Sequence, residues 1–356
     1  MQLNKRSPEF ITHISKVSEA ISGDEDFHVA QEKEYSSLHN LLESEVMQLG
    51  DLANLRYTRR PDLLASYFES LQLPGIITDS QNQFIAAINK TKIIRDGIFQ
   101  DVYYASDLRI SKDASLRIKA RFRKSYQALI QELNGEVYTA VLKENQAAIK
   151  AFSSKKHQLF YHPVYEYVSR SILVLPTLRM LKSRYQHIKI KQGRDEVYEA
   201  RKQKTCSFCH LTGEWDSYFQ LKIEGKTIGA FTIARPKNRS LLVEPKRRST
   251  NWWLKLAKFF FNFDYSEKLP WVYLTSLYID PDFDKSEMMK LIIKYLYQQK
   301  IINSGELLLL CHGQTEQITL RLPTPQVVTN GILFLVSTQE QFSSLDGEVH
   351  INPICL

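Results

Sequence analysis

Apolar positions along this chain follow two periods that alternate with each other. A weak helical stretch spans 9–21, and a short strand follows at 27–30. Leu38, Leu41, Leu42 and Val46 recur at helical spacing and predict a helix over 34–49. Another helix starts at Arg60, Pro61 and Asp62, with Pro in its first turn and Leu63, Leu64, Tyr67 and Phe68 as its apolar side. The pattern then shortens to two. Strands at 75–79 and 83–88 flank a turn at 80–82, and a longer strand covers 100–110. Ser115 caps a helix to Leu133, with Leu116, Phe122, Tyr126, Leu129 and Leu133 inward and Arg117, Arg121 and Lys124 on another side. Gly135 ends it. A strand at 137–142, a helix at 145–152 and a strand at 165–174 follow.

The same grammar recurs further on. Strands at 218–223 and 227–233 flank a turn at Glu224, Gly225 and Lys226. A strand at 271–279 ends in Asp280, Pro281 and Asp282. A helix at 286–299 presents Met289, Ile292, Ile293 and Leu296, and strands at 306–311 and 332–336 close the pattern. Strand–helix–strand repeated after about 170 residues predicts two copies of one α/β unit. The expected division is a lead-in at 1–25, a first domain at 26–175, a basic connector at 176–191 and a second domain at 192–356, each domain with its own sheet.

Composition adds limits. The chain has 356 residues, 43% hydrophobic and 24% charged, as in soluble globular proteins. It has no apolar run long enough to span a membrane, and its first residues lack the apolar core of a signal peptide, so a cytoplasmic location is expected. The net charge of +8 is spread along the chain, so it predicts a solvated surface and not a nucleic-acid interface. Cys206, Cys209 and His210 match the haem-attachment pattern, but that chemistry needs an exported protein. Zinc needs two further ligands at suitable spacing, so a reduced structural cysteine pair and no metal are expected. The basic, aromatic stretch 252–261 reads as a domain helix, with peripheral contact to an anionic membrane or stacking on single-stranded RNA as alternatives.

Three segments carry a resemblance: Ser106 to Ile110, Thr139 to Asn145, and Tyr273 to Leu277. With them, the stretch from Phe27 to Leu356 resembles the GNAT acyltransferases, and a bacterial group of tandem GNAT-like proteins in particular. The resemblance implies an α/β (mixed α+β) fold of two tandem GNAT-like domains, each a mixed, mostly antiparallel sheet flanked by helices. It implies acetyl-CoA or another acyl-CoA as co-substrate and an amine as acceptor. It places the pantetheine arm beside Leu108, Arg109 and Ile110, and the pyrophosphate at Arg117, Ile118, Lys119 and Ala120, where a helix N-terminus offers free N–H groups. Asn145 matches the family's Asn near the cofactor. The family's glycines are missing: Ala120 and Phe122 stand in their places, and Phe122 is expected to crowd the phosphates.

Catalysis is less determined. Asp107 is a candidate general base, with an ion pair to Arg109 as its structural alternative. Tyr104 is a candidate proton donor, with a core aromatic as its alternative. The family's acidic Tyr is replaced by Phe152, which has no proton to give, and Tyr161 and His162 are candidates to stand in. In the second copy, Asp280, Asp282 and Asp284 lie where phosphates would, and like charges repel there. That domain is expected to be structural or to shape the acceptor site. The main reading is an acyl-CoA-dependent N-acyltransferase, acetyl transfer in particular. Two alternatives stay open: a GNAT scaffold that binds or senses without catalysis, and a Fem-like transferase using aminoacyl-tRNA.

Overall fold

The computed structural model describes residues 5–44, 47–49, 53–70, 72–95, 98–133, 135–153, 159–193, 206–208, 217–245, 252, 255, 269–316, 318–338 and 349–351. The helices are α1 (Pro8–Ile21), α2 (Tyr35–Glu43), α3 (Leu63–Phe68), α4 (Leu116–Leu133), α5 (Gln146–Phe152) and α6 (Lys285–Gln298). Strands of the first half are β1 (Phe27–Val29), β2 (Met47–Leu49), β3 (Ala53–Thr58), β4 (Leu73–Asp79), β5 (Phe84–Arg95), β6 (Ile98–Ile110), β7 (Val137–Leu142) and β8 (Phe160–Leu173). Those of the second are β9 (Lys189–Gln192), β10 (Cys206–Phe208), β11 (Ser217–Ile223), β12 (Lys226–Ala234), β13 (Ser240–Pro245), β14 (Leu269–Ile279), β15 (Leu307–Gly313), β16 (Gln326–Ser337) and β17 (Val349–Ile351).

Side chains alternate across the strands and so divide the core in two. On β5, Phe84, Ala86 and Ile88 pack with Val17 and Ile21 of α1 and with Leu129, Ile130 and Leu133 of α4. Their neighbours Ile85 and Ala87 point the other way, onto Leu38 and Leu42 of α2 and Leu63, Leu64 and Tyr67 of α3. In the second half Met288, Met289, Ile292, Ile293 and Leu296 of α6 cover β11, β12, β14 and β15.

The two halves do not keep separate sheets. One sheet runs β1-β4-β5-β6-β7-β16-β8-β15-β14-β12-β11-β9. All neighbours are antiparallel except β6 with β7 and β14 with β15, which are parallel. The join is an exchange. The free edge of β7 is filled by β16, from the end of the chain, and the free edge of β15 by β8, from the first half. β16 and β8 then pair with each other from Gln326–Ile172 to Ser337–Phe160. Each half therefore leaves an unpaired edge that only the other supplies, and edge pairing overrides the local two-unit pattern.

Further differences from the sequence pattern have similar causes. The helix expected over 34–49 ends at Glu43, because Met47–Leu49 pairs with β3 instead. β3 in turn pairs with β13 from Thr58–Ser240 to Ala53–Pro245, a second tie between the halves. Short strands like these carry too few alternating positions to read from sequence alone. The helical stretch expected within a polar lead-in is present at Pro8–Ile21, but it belongs to the core, with Val17 and Ile21 buried.

Two glycines make the centre of the sheet possible. Tyr167 of β8 lies over Gly331 of β16, and the Tyr165 hydroxyl lies over Gly313 of β15; a Cβ at either glycine would overlap the tyrosine. Gly331→Ala is expected to destabilise the protein by about 1–3 kcal/mol through overpacking, measured by chemical denaturation. Adding Tyr167→Leu should recover part of that loss.

His13 on α1 is buried, with Nε2 2.9 Å from the Ile88 carbonyl. Burial, helped by Lys90 and Lys16 and opposed by that carbonyl, lowers its pKa from 6.5 to about 4. The unfolded chain takes up this proton first, so stability is full above about pH 6.5 and falls as pH drops toward 4. Stability against pH should slope by up to about 1.4 kcal/mol per unit in that interval from this group. His13→Gln should flatten it, leaving the smaller contribution of His312, whose pKa burial also lowers.

Candidate functional site

β6 and β5 run in register until Ala87 faces Ser106, and resume with Ile85 facing Arg109. Two residues, Asp107 and Leu108, thus oppose the single Ala86. Asp107 takes up the extra length with φ 53°, a left-handed conformation that Asp tolerates better than most residues. On its other side β6 pairs with β7 only through Tyr103–Val137 and Tyr104–Tyr138, and Thr139 Oγ1 donates to the Ala105 carbonyl at 3.0 Å. Beyond that point the strands part. The segment Leu108–Ile110 has its edge toward the gap, with Leu108 44% exposed.

Asp107 is held from below by residues that the sequence pattern did not connect to it. Arg59 Nη2 donates to Asp107 Oδ2 at 2.8 Å, the Tyr67 hydroxyl to the same oxygen at 2.6 Å, and Ser106 Oγ at 3.1 Å. Asn89 Nδ2 donates to Ser106 Oγ at 2.9 Å. The Arg59 guanidinium lies over the Tyr67 ring and, 5.1 Å from its centroid, over that of Tyr57. Burial alone would favour a neutral Asp107, but Arg59, the Tyr67 hydroxyl, Arg109 and Arg239 hold its carboxyl below the usual range. Burial and the adjacent carboxylate push Tyr67 well up, so it stays a donor. Asp107 is therefore a fixed anion whose proton affinity is low. Its ion-pair partner is Arg59, and the expected alternative partner, Arg109, adds to the positive charge that holds its pKa down.

Tyr104 is buried in an aromatic floor with Tyr138, Tyr167, Leu333 and Leu335. It faces away from the side of the sheet that α4 covers, since its neighbour Tyr103 packs on that side.

α4 begins directly beyond the gap. Ser115 Oγ accepts from the Ile118 N–H at 3.2 Å, as predicted for its cap. Arg117 is tied to Asp26 at 3.3 Å, and Arg121 pairs with Asp26 as well. With the Arg117 side chain 67% exposed, that pair is weak and exchangeable. Lys119 is half-buried and Ala120 exposed on the same turn, with Ile118 packed toward the core. Phe122 does not crowd this end of the helix. Its ring is turned into the core, 4.4 Å from Phe84 and 5.4 Å from Tyr126.

Across the gap, Asn145 caps α5, its side chain accepting from the Ala148 N–H at 3.1 Å. At the far end of α5 the Phe152 ring stacks on Tyr161, with centroids 4.0 Å apart and planes 5° apart. Of the two residues considered as replacements for the missing Tyr, the structure brings Tyr161 to Phe152. Burial raises its hydroxyl to about 12, so it keeps its proton.

The second half has a comparable bend with different chemistry. β12 and β14 slip register between Ala230–Tyr278 and Thr232–Thr275, and Ser276 has φ 49°. Here the following helix is capped by Asp284, whose Oδ1 accepts from the Ser286 and Glu287 N–H groups. A carboxylate already sits where an anion would bind, and Glu287 adds a second charge in the first turn.

Cys209, His210 and most of 252–261 lie outside the described residues. Among the described residues no group of His, Cys, Asp and Glu is placed to hold a metal, and no helix is long and apolar enough to cross a membrane.

Asp107→Asn removes the anion from beneath Arg59 and leaves a buried cation. It is expected to cost about 3–5 kcal/mol in denaturant titration, while Ser106→Ala, which removes one neutral donor, should cost about 1 kcal/mol.

No family model matches the sequence, and no curated protein matches it. Solved structures match in fold. A Saccharomyces cerevisiae N-myristoyltransferase with bound myristoyl-CoA aligns over 90% of this chain and 84% of that one, with TM-score 0.52 and 10% identity. Another structure of the yeast enzyme with myristoyl-CoA aligns over 92% and 81%, with TM-score 0.50 and 11% identity. A GCN5-related N-acetyltransferase from Anabaena variabilis aligns over 87% and 71% with TM-score 0.44 at 10% identity. With its bulged strand and its parting parallel pair, the chain has a mixed α/β fold similar to that of these N-myristoyltransferase structures.

Proposed function

We propose that this protein is an acyl-CoA-dependent N-acyltransferase working by direct attack of an amine on the thioester. The observation that carries the reading is the bulge at Asp107, where β6 leaves β7 directly before the N-terminus of α4. An open strand edge suits the amides of pantetheine, and a helix N-terminus suits a pyrophosphate. The fold likeness to an enzyme solved with myristoyl-CoA supports the same co-substrate class.

In this reading Leu108, Arg109 and Ile110 pair with the pantetheine arm. The first turn of α4, from Ser115 to Ala120, receives the phosphates, with Lys119 beside them and Arg117 released from Asp26. Asn145 borders the arm from the other strand. The amine attacks the carbonyl carbon, the C–N bond forms and the C–S bond breaks. The leaving thiolate takes up one proton and the nitrogen loses one. Asp107 is a poor acceptor of that proton, because its Oδ2 already carries three donors and its pKa is depressed. Its other oxygen suits an N–H of the incoming amine, which makes Asp107 an orienting group. Tyr161, protonated beside Phe152, is the proton source we assign to the thiolate. Tyr104 supplies floor and not proton transfer.

The donor we favour is acetyl-CoA. A binding or sensing role without catalysis is favoured by one observation, the Arg117–Asp26 pair at the phosphate end.

Calorimetry with acetyl-CoA should give one site per chain. Arg117→Glu with Lys119→Glu should weaken it by about 1–3 kcal/mol, the range for charge-assisted hydrogen bonds. Lys285→Glu with Lys290→Glu, on the second helix, should leave it unchanged. Two sites per chain, or equal loss from both pairs, would overturn the assignment, and no binding at millimolar acetyl-CoA would favour the sensing role.

A further inference from the structure

The loop between α1 and β1, residues 22–26, carries Asp24, Glu25 and Asp26 in succession. Both of its ends are fixed. Ile21 is buried at the end of α1, and the Phe27 ring packs on Phe84 at 5.2 Å and on Phe122 of α4 at 6.2 Å. Within the loop the Asp26 N–H donates to Asp24 Oδ1 at 2.9 Å. Packing on either side thus holds these acids against α4.

What they meet there is cationic. Arg117 and Arg121 stand four residues apart on α4, about one turn, so their charges repel unless an anion lies between them. Asp26 is that anion. Arg117 donates to both of its oxygens, from Nε to Oδ2 and from Nη2 to Oδ1, each at 3.3 Å. Arg121 Nη1 donates to Oδ2 as well. One turn further, Ser125 Oγ donates to Asp24, which also lies 3.9 Å from Arg121.

The two-pronged hold of Arg117 on a carboxylate is also the hold a guanidinium takes on a phosphate. A phosphate at the first turn of α4 would need the same donors, so it and Asp26 compete for one pair of arginines. Asp26 has the advantage of its tether, since it is always close by. A phosphate has the advantage of greater charge and more oxygens. Both arginine side chains stay open to water, so the pairs with Asp26 are weak enough to be displaced.

We propose that the 22–26 loop is an autoinhibitory latch, with Asp26 occupying the anion site between Arg117 and Arg121 until a phosphate displaces it. This rests on the acyl-CoA reading only for the owner of that phosphate, coenzyme A. The exchange itself is open to any small phosphate compound.

The test uses the full chain and inorganic pyrophosphate, by calorimetry at low and high salt. Asp26→Asn keeps shape and removes the charge. It should tighten pyrophosphate binding by about two- to fivefold, the worth of an exposed ion pair. It should also steepen the loss of affinity with salt, because the unaltered chain trades one anion for another and the variant takes up a new one. Glu25→Gln removes the same charge from an exposed neighbour outside the pair and should give a smaller gain. In the unaltered chain, the Asp26 amide and the Arg121 Nε–H should shift together in ¹⁵N spectra as pyrophosphate is added, a readout that needs no variant. Unchanged or weaker binding by Asp26→Asn, an equal gain from Glu25→Gln, or an Arg121 shift without one at Asp26 would overturn the latch. Absence of pyrophosphate binding by both forms would do the same. Repeating the titration with acetyl-CoA separates the two readings. Tighter pyrophosphate binding by Asp26→Asn with no acetyl-CoA binding sinks the acyl-CoA reading and keeps the latch; acetyl-CoA binding that Asp26→Asn leaves unchanged does the reverse.

Discussion

A strand cannot leave its neighbour without finding somewhere to put the extra backbone. In β6 the extra residue is Asp107, placed left-handed at a cost of roughly 1–2 kcal/mol for an ordinary side chain. Most positions of this kind use glycine, which would leave the bend free to relax. Here the side chain at the bend is the one that accepts Arg59, Tyr67 and Ser106. The conformation and the ion pair enforce each other: relaxing the bend would pull a buried carboxylate away from a buried guanidinium. The open edge at Leu108–Ile110, the start of α4 beyond it and the groove between them all follow from that one locked residue.

The lock also connects the halves. Arg59 directly follows β3, and β3 is paired with β13 of the other half. The bend in β6 is thereby referred to the frame of β14, whose own bend at Ser276 carries no ionisable group. The two halves differ at the starts of the helices that follow these bends. The first keeps the accessible helix start, and the second fills its helix start with Asp284.

Much of this was readable. The hairpin around Glu224 and Gly225, the strand at 137–142 and the helix ending at Leu133 have strong local patterns, and the structure has them where the patterns put them. The bend was not readable, because a run of alternating residues through Asp107 reads as one straight strand when no glycine marks it. The Arg59–Asp107 pair was out of reach for another reason. Arg59 reads as a loop residue before a helix, and Tyr67 as part of an apolar face. Only the folded chain shows that Tyr67 buries its ring there and spends its hydroxyl on Asp107. Phe122 shows the reverse error: a motif position suggested obstruction, while helical periodicity already put the ring inward.

The strand exchange sets an order of events in synthesis. β7 emerges from the ribosome early, but the strand that covers its edge, β16, is made only after β8 to β15, with Gly331 as partner of Leu142. Until then the nascent first half carries an apolar, uncapped edge that must be shielded or kept waiting. A ribosome that stops before residue 326 releases a chain with β7 still open and β8 without its main partner. Such a product is not a smaller version of the fold. It is a substrate for chaperones and proteases, so synthesis through β16 acts as the checkpoint for this fold.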